Sequence, residues 1–196
     1  NNRVAIIGSG SWATALAKIL LETLPEIKWF MRNEDNIEQF KLYHHNPGYL
    51  RGVDFDTERI HFFSDINAIV QQSDTLIIAI PSAFLKETLK DLEYDISGKY
   101  VVSGIKGLIP EEKMVIGEYL HLTYGIPYEN IGVLAGPCHA EEVALEKLSY
   151  LTVAGTDETR AEQFASLIRC NYIKASTTDD IWGTEYSSVI KNIIAI

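Results

Sequence analysis

The stretch Arg3-Val4-Ala5-Ile6-Ile7-Gly8-Ser9-Gly10-Ser11-Trp12-Ala13-Thr14-Ala15-Leu16-Ala17 constrains this chain more than any other. Val4 to Ile7 is a short unbroken apolar run, the pattern of a parallel strand covered on both faces. It stops at Gly8, a residue free to take the backbone angles of a sharp strand-to-helix turn. Gly10 carries no side chain, so a pyrophosphate can approach the main chain, and Ala13 is small enough for the next helix to pack tightly on the strand. Free amides and the positive end of the helix dipole then favour an anion at that corner. The pattern is a dinucleotide-binding fingerprint of the G-x-G-x-x-G/A type. Glycine spacing alone also fits a plain turn. The position directly after a strand, with a second strand close behind, favours cofactor binding.

Composition narrows the partners. Twenty-seven acidic against 17 basic residues give a formal charge of -10, which argues against nucleic acid or a membrane surface, since both need a basic patch. A small anionic ligand needs only a local cluster of donors and remains compatible. Cys138 and Cys170 belong to no paired motif, as in a reducing compartment, and no apolar run approaches the ~20 residues of a membrane span. With no secretory signal ahead of the first strand, the expected location is the cytoplasm. At 196 residues and 46% hydrophobic, the chain suffices for one large domain or a domain plus part of another.

The rest of the chain alternates strand and helix. A helix over 11–24 closes at Pro25, strand 27–31 follows, and 34–43 reads as helix. His44 to Gly52 is a turn-rich loop whose adjacent histidines lack partners at ligand spacing, so no metal site is expected. Strand 60–63 leads to a helix capped by Ser64 or Asp65 and running to Gln72; strand 75–80 ends sharply at Pro81. Helix 83–92 has Phe84, Leu85, Thr88, Leu89 and Leu92 as its inner stripe. Strand 100–104, helix 111–123, strand 131–134, a helix opening at 135–142, strand 150–154, helix 157–169 and a short strand 171–174 complete the alternation. The last helix starts near Thr178 or Asp179 and is uncapped at Ile196, which suggests a fragment. The expected fold is α/β: a Rossmann-like, doubly wound, mostly parallel sheet with helices on both faces. Residues 1–178 form the cofactor-binding domain and 179–196 begin a helix that leads elsewhere.

Ligands of such sheets gather beyond the carboxyl ends of the strands. Arg32 follows the second strand, where it can meet a 2′-phosphate, lie across adenine, or simply face solvent. Lys106, ahead of Gly107, is placed to hold a phosphate or a substrate oxygen; a surface lysine is the alternative. Lys191 lies among Val189, Ile190, Ile193 and Ile194, with Ser187, Ser188 and Ala195 one turn away. Partly desolvated and near a second cation, it would have the lowered pKa of a general acid or base; otherwise it snorkels from a packed helix. Asn192 is an anchor by hydrogen bonds or a plain polar position. Cys138 sits at an expected helix start, where a thiolate gains support, but no base accompanies it. His139 reads as a packing or capping residue.

Gly8-Ser9-Gly10-Ser11-Trp12-Ala13-Thr14-Ala15-Leu16-Ala17, Ile80-Pro81-Ser82, Lys106-Gly107-Leu108, Ala135-Gly136-Pro137 and Val189-Ile190-Lys191-Asn192-Ile193-Ile194-Ala195 occur in this order. Together they resemble the N-terminal part of bacterial NAD(P)-dependent glycerol-3-phosphate dehydrogenases. The resemblance implies reversible reduction of dihydroxyacetone phosphate to sn-glycerol 3-phosphate, serving glycerophospholipid synthesis, with NAD or NADP as cofactor. It implies that Ser11, Trp12, Arg32, Lys106 and Ala140 contact the cofactor beside Gly8 and Gly10. Lys106, Gly136, Cys138 and Asn192 would meet the phosphate substrate, and Lys191 would exchange the proton at the carbinol oxygen. Cys138 and His139 stand where the family more often has Ser or Thr and then Phe; a thiol is the poorer donor. The family's all-helical C-terminal domain, with its Arg-Asn pair for the substrate phosphate, does not appear in this sequence. The isolated chain is therefore expected to bind cofactor weakly and turn over poorly. A homodimer stays open. The competing readings are a β-hydroxyacid or 6-phosphogluconate-type dehydrogenase, and a non-catalytic nicotinamide-binding sensor.

Overall fold

A computed structural model describes residues 3–194, and side chains of residues 3–190. The core is one eight-stranded sheet in the order β3-β2-β1-β4-β5-β6-β7-β8. Its strands are β1 (Val4–Ile7), β2 (Ile27–Phe30), β3 (Ile60–Phe63), β4 (Thr75–Ile78), β5 (Tyr100–Ser103), β6 (Ile131–Ala135), β7 (Ser149–Ala154) and β8 (Ile173–Thr178). The first six run parallel; β7 pairs antiparallel with β6, and β8 runs parallel to β7.

Eight α-helices accompany the sheet among the described residues: α1 (Ser11–Leu21), α2 (Glu34–Tyr43), α3 (Ile66–Gln71), α4 (Leu85–Leu89), α5 (Ile116–Tyr124), α6 (Ala140–Ala144), α7 (Glu158–Ile168) and α8 (Ile181–Ile194). Strand β1 shows why the sequence runs apolar without alternation. Val4 and Ile6 face a cluster with Leu16, Leu20, Phe164 and Ile168, whereas Ala5 and Ile7 face the opposite cluster with Ile69, Leu85 and Leu120. Both faces are covered, so every position of the strand is buried. Asn33, Asp65 and Asp157 cap α2, α3 and α7 through their side chains, each accepting a main-chain N–H in the first turn.

The differences from the sequence reading have local causes. Strand β4 stops at Ile78, after which Ala79 bends toward the glycine turn while its N–H still donates to Ile7 O at 2.9 Å. The expected helix over 83–92 shrinks to a 3-10 turn at Ser82–Phe84 followed by α4, and Phe84 is 59% exposed instead of belonging to the inner stripe. Helix α5 begins five residues later than 111 because Ile109 and Met114 close a bridged turn, with Lys113 at φ 54°. Strand β8 runs to Thr178: its Lys-Ala-Ser-Thr-Thr composition suits an edge strand with one wetted face and hides its length from an apolar-run search.

Candidate active site

The strand order reverses between β1 and β4, and the crevice beyond their carboxyl ends is where such sheets bind ligands. A cleft of about 560 Å³ opens there, with Gly10, Ser11 and Trp12 on one side, Ile80, Pro81 and Phe84 on another, and Lys106, Cys138 and Ala140 closing it.

The glycine turn is built for its place. Gly8 has φ +129°, and a Cβ at that position would run into the carbonyl of Ala79. Its own carbonyl accepts the indole N–H of Trp29 at 2.6 Å, which fixes the turn from β2. Gly10 is the N-cap of α1, and a Cβ on it would point into open space, so its bareness leaves room for a ligand rather than for protein. No side chain caps α1 and its first turn holds no acidic residue, leaving the N–H groups and the dipole directed at the cleft. These features fit a dinucleotide pyrophosphate.

Trp12 lies half-buried beneath Lys106, whose ammonium stands 5.6 Å from the ring centroid. Lys106 and His139 also line a second cleft, of about 650 Å³, with Gly136, Thr152, Thr184 and Ser187. The two clefts therefore share a wall. At Gly136 φ is +148°, and a Cβ would meet the carbonyl of Tyr150, so β6 turns into α6 only with glycine there.

Cys138 is 1% exposed and packs in the core cluster. Burial pushes its thiol up, against weaker downward pulls from Ser149 and the Lys106 charge. The thiolate considered for this position is therefore disfavoured, and helix α6 begins two residues later, after His139 at its N-cap. The His139 N–H reaches the Glu142 carboxylate at 3.4 Å, which agrees with a capping position.

Arg32 lines a separate hollow of about 250 Å³ with Asp65, Glu87, Thr88 and Lys90. Its guanidinium donates to Thr88 Oγ1 at 3.4 Å and lies 3.7 Å from Glu87 Oε1. Gly10, Ser11, Trp12, Lys106, Cys138 and Ala140 are thus brought together, Gly136 adjoins them across Lys106, and Arg32 stands at the end of β2. Lys191 and Asn192 lie in the backbone of α8, but their side chains fall outside the described residues. Asn46, in the turn-rich loop, is 3% exposed and bonds directly to the glycine turn. Its only sequence signal was Asn-Pro-Gly, which announces a turn and not a contact. Among the described residues no three His, Cys, Asp or Glu side chains are grouped to hold a metal, and no helix is long and apolar enough to cross a membrane.

Fold and cleft define the chain as a Rossmann-type, dinucleotide-binding domain. Residues 3–161 match the family described as NAD-dependent glycerol-3-phosphate dehydrogenase N-terminus, and the chain belongs to that family. Over 99% of its length it is 33% identical to a glycerol-3-phosphate dehydrogenase [NAD(P)+] of Oceanobacillus iheyensis, covering 56% of that protein. Over its whole length it is 30% identical to the enzyme of the same name from Staphylococcus carnosus, covering 59% of it. The chain thus spans little more than half the length of these relatives. The glycerol-3-phosphate dehydrogenase structure from Plasmodium falciparum superposes with a TM-score of 0.88 at 25% identity, over 98% of this chain and 57% of that one. The Coxiella burnetii structure gives 0.87 at 24% identity over 100% and 59%, a likeness of fold.

Proposed function

We propose that the intact protein interconverts dihydroxyacetone phosphate and sn-glycerol 3-phosphate with NAD(P)H, in the cytoplasm, for glycerophospholipid synthesis. Residues 1–178 supply the cofactor domain, and 179–196 open the helix that leads to the rest of the protein. The observation that carries this reading is the shared wall: Lys106 lines both the cleft of the glycine turn and the cleft of Gly136.

When bound, the nicotinamide supplies the hydride to the substrate carbon. The N–H groups at the start of α1 hold the pyrophosphate, with Ser11, Trp12 and Ala140 along its path. Lys106 holds a substrate oxygen near the nicotinamide and draws electron density from the carbonyl. Gly136 offers close main-chain approach, whereas the buried Cys138 thiol contributes at most a weak hydrogen bond. Lys191 gives the proton to the carbonyl oxygen in reduction and takes it back in oxidation, with Asn192 orienting the substrate. The acidic balance of the chain argues against nucleic acid as partner and is compatible with a small phosphate ester. A homodimer is compatible with this assignment.

The test is Lys191→Ala in the intact protein. Loss of about 100-fold or more in kcat with NADH binding kept supports the assignment. An unmutated protein that binds NADH yet turns over no dihydroxyacetone phosphate would instead support a nicotinamide sensor.

A further inference from the structure

We propose that Asn46, which touches neither cleft, is a positioning residue for the cofactor: it holds the Ser9 carbonyl of the glycine turn away from the pyrophosphate site.

Its side-chain amide is fully used. Nδ2 donates to Ser9 O at 3.0 Å and to Thr14 Oγ1 at 2.8 Å. Oδ1 accepts the Gly48 N–H at 2.9 Å and the Tyr49 N–H at 3.2 Å. Thr14 carries the chain one step further, its hydroxyl donating to Gly10 O at 2.8 Å. Thr14 is 0% exposed and Asn46 3%, so neither acts by touching a ligand. The amide orientation is fixed by chemistry: turned over, it would set a donor against two N–H groups and an oxygen against the Ser9 carbonyl.

The consequence is electrostatic. An anion at the start of α1 is attracted by N–H groups and repelled by carbonyl oxygens of the same turn. Ser9 O is engaged by Asn46, whereas Gly10 O is held by the helix itself, accepting the Thr14 main-chain N–H at 3.0 Å as well as the hydroxyl. Released from Asn46, the Ser9 carbonyl is free to rotate and to offer oxygen to the anion. The amide also ties the turn to a second part of the lining, since Tyr49, whose N–H it accepts, lines the first cleft. Asn46 thus pre-sets two walls of the site before the cofactor arrives, which removes an ordering cost from binding.

This inference rests on the cofactor reading of the cleft. Its test is fluorescence titration of NADH and NADPH against the intact parent protein and Asn46→Ala, Asn46→Asp, Thr14→Val and Thr14→Ser, with steady-state kinetics alongside. Asn46→Asp still accepts from Gly48 and Tyr49 but sets an oxygen against Ser9 O. Asn46→Ala and Asn46→Asp are expected to raise Kd and KM for both nucleotides about tenfold or more, and Thr14→Val, which removes one acceptor of Nδ2 but keeps the Ser9 contact, by less. The kcat at saturating cofactor and the KM for dihydroxyacetone phosphate stay at parent values. Thr14→Ser keeps the hydroxyl and the parent affinity. A merely structural role would lower the Tm without this split between KM and kcat. Should Asn46→Ala fail to fold, the near-isosteric Asn46→Asp decides. Folded Asn46→Asp with parent-like Kd overturns the inference alone; a parent protein that binds neither nucleotide overturns the cleft reading and this inference with it.

Discussion

Glu185, on α8, accepts the main-chain N–H of Gly117, at the start of α5, through Oε1 at 2.9 Å. Helix α5 has no side-chain cap of its own, and its N-cap is the apolar Val115. The missing cap arrives from a residue 68 positions away. A Cβ on Gly117 would lie 3.1 Å from Glu185 Oε2, a tight contact that the carboxylate would have to yield to. The contact fastens the helix that carries Lys191 to the body of the domain.

Burial at 5% exposure pushes the Glu185 carboxyl up to about 7, outweighing the pull of the Gly117 N–H, and neighbouring Glu118 adds to the rise. A carboxyl that binds its proton more tightly when folded stabilises the fold below its unfolded value of 4.5, and that stability fades as pH rises through about 7. Glu185→Gln keeps an acceptor for Gly117 and does not titrate. Urea unfolding should therefore show the parent losing up to about 3 kcal/mol relative to the variant between pH 5 and pH 8. Parallel stability curves for the two proteins would refute the assignment.

Two glycines of one turn should respond oppositely to the same change. Gly8→Ala forces a Cβ against Ala79 at a positive φ, so it should cost at least about 3 kcal/mol of stability. Gly10→Val adds its side chain to open space, at φ -78°. It should stay folded, with Tm close to the parent, and lose nearly all NADH binding. Comparable Tm losses in both would show that Gly10 serves the fold and not the ligand.

Glu87 should influence the choice of cofactor. Its carboxylate is 3.7 Å from the Arg32 guanidinium and also pairs with Lys90 at 2.8 Å. Both partners of the Arg32 contact are more than half exposed, so the pair adds little stability. It does set a negative charge beside the cation that would meet a 2′-phosphate. Glu87→Gln should strengthen NADPH binding about three- to tenfold at low salt and leave NADH unchanged, with the gain shrinking as salt is added. Equal shifts for both nucleotides would place the phosphate elsewhere.

The sheet was legible because parallel strands covered on both faces announce themselves as apolar runs, as β1 and β4 do. The glycine turn was legible because its backbone demands leave few residue choices. Strand β8 was only partly legible, since an edge strand of Ser and Thr carries no such run. Asn46 was hidden for a different reason: its partners lie 32 and 37 positions back, and no local pattern encodes a hydrogen bond between a loop and a distant turn. The Glu185 cap was hidden likewise, because a cap normally stands next to its own helix.

The reversal of β7 and β8 changes how the domain delivers side chains to its two clefts. Helix α1 departs from the carboxyl rim, so Ser11 and Trp12 are placed by the shape of a turn. Helix α8 follows a reversed strand and climbs toward that rim, passing Gly183 and Thr184 before Ser187 and Ser188 along the second cleft. Whatever it bears further on is placed by counting: one residue inserted after Ile181 would swing each later position by about 100° and lift it about 1.5 Å. Loops around the departing corners can lengthen and shorten over evolutionary time, whereas the arriving segment must keep its tally.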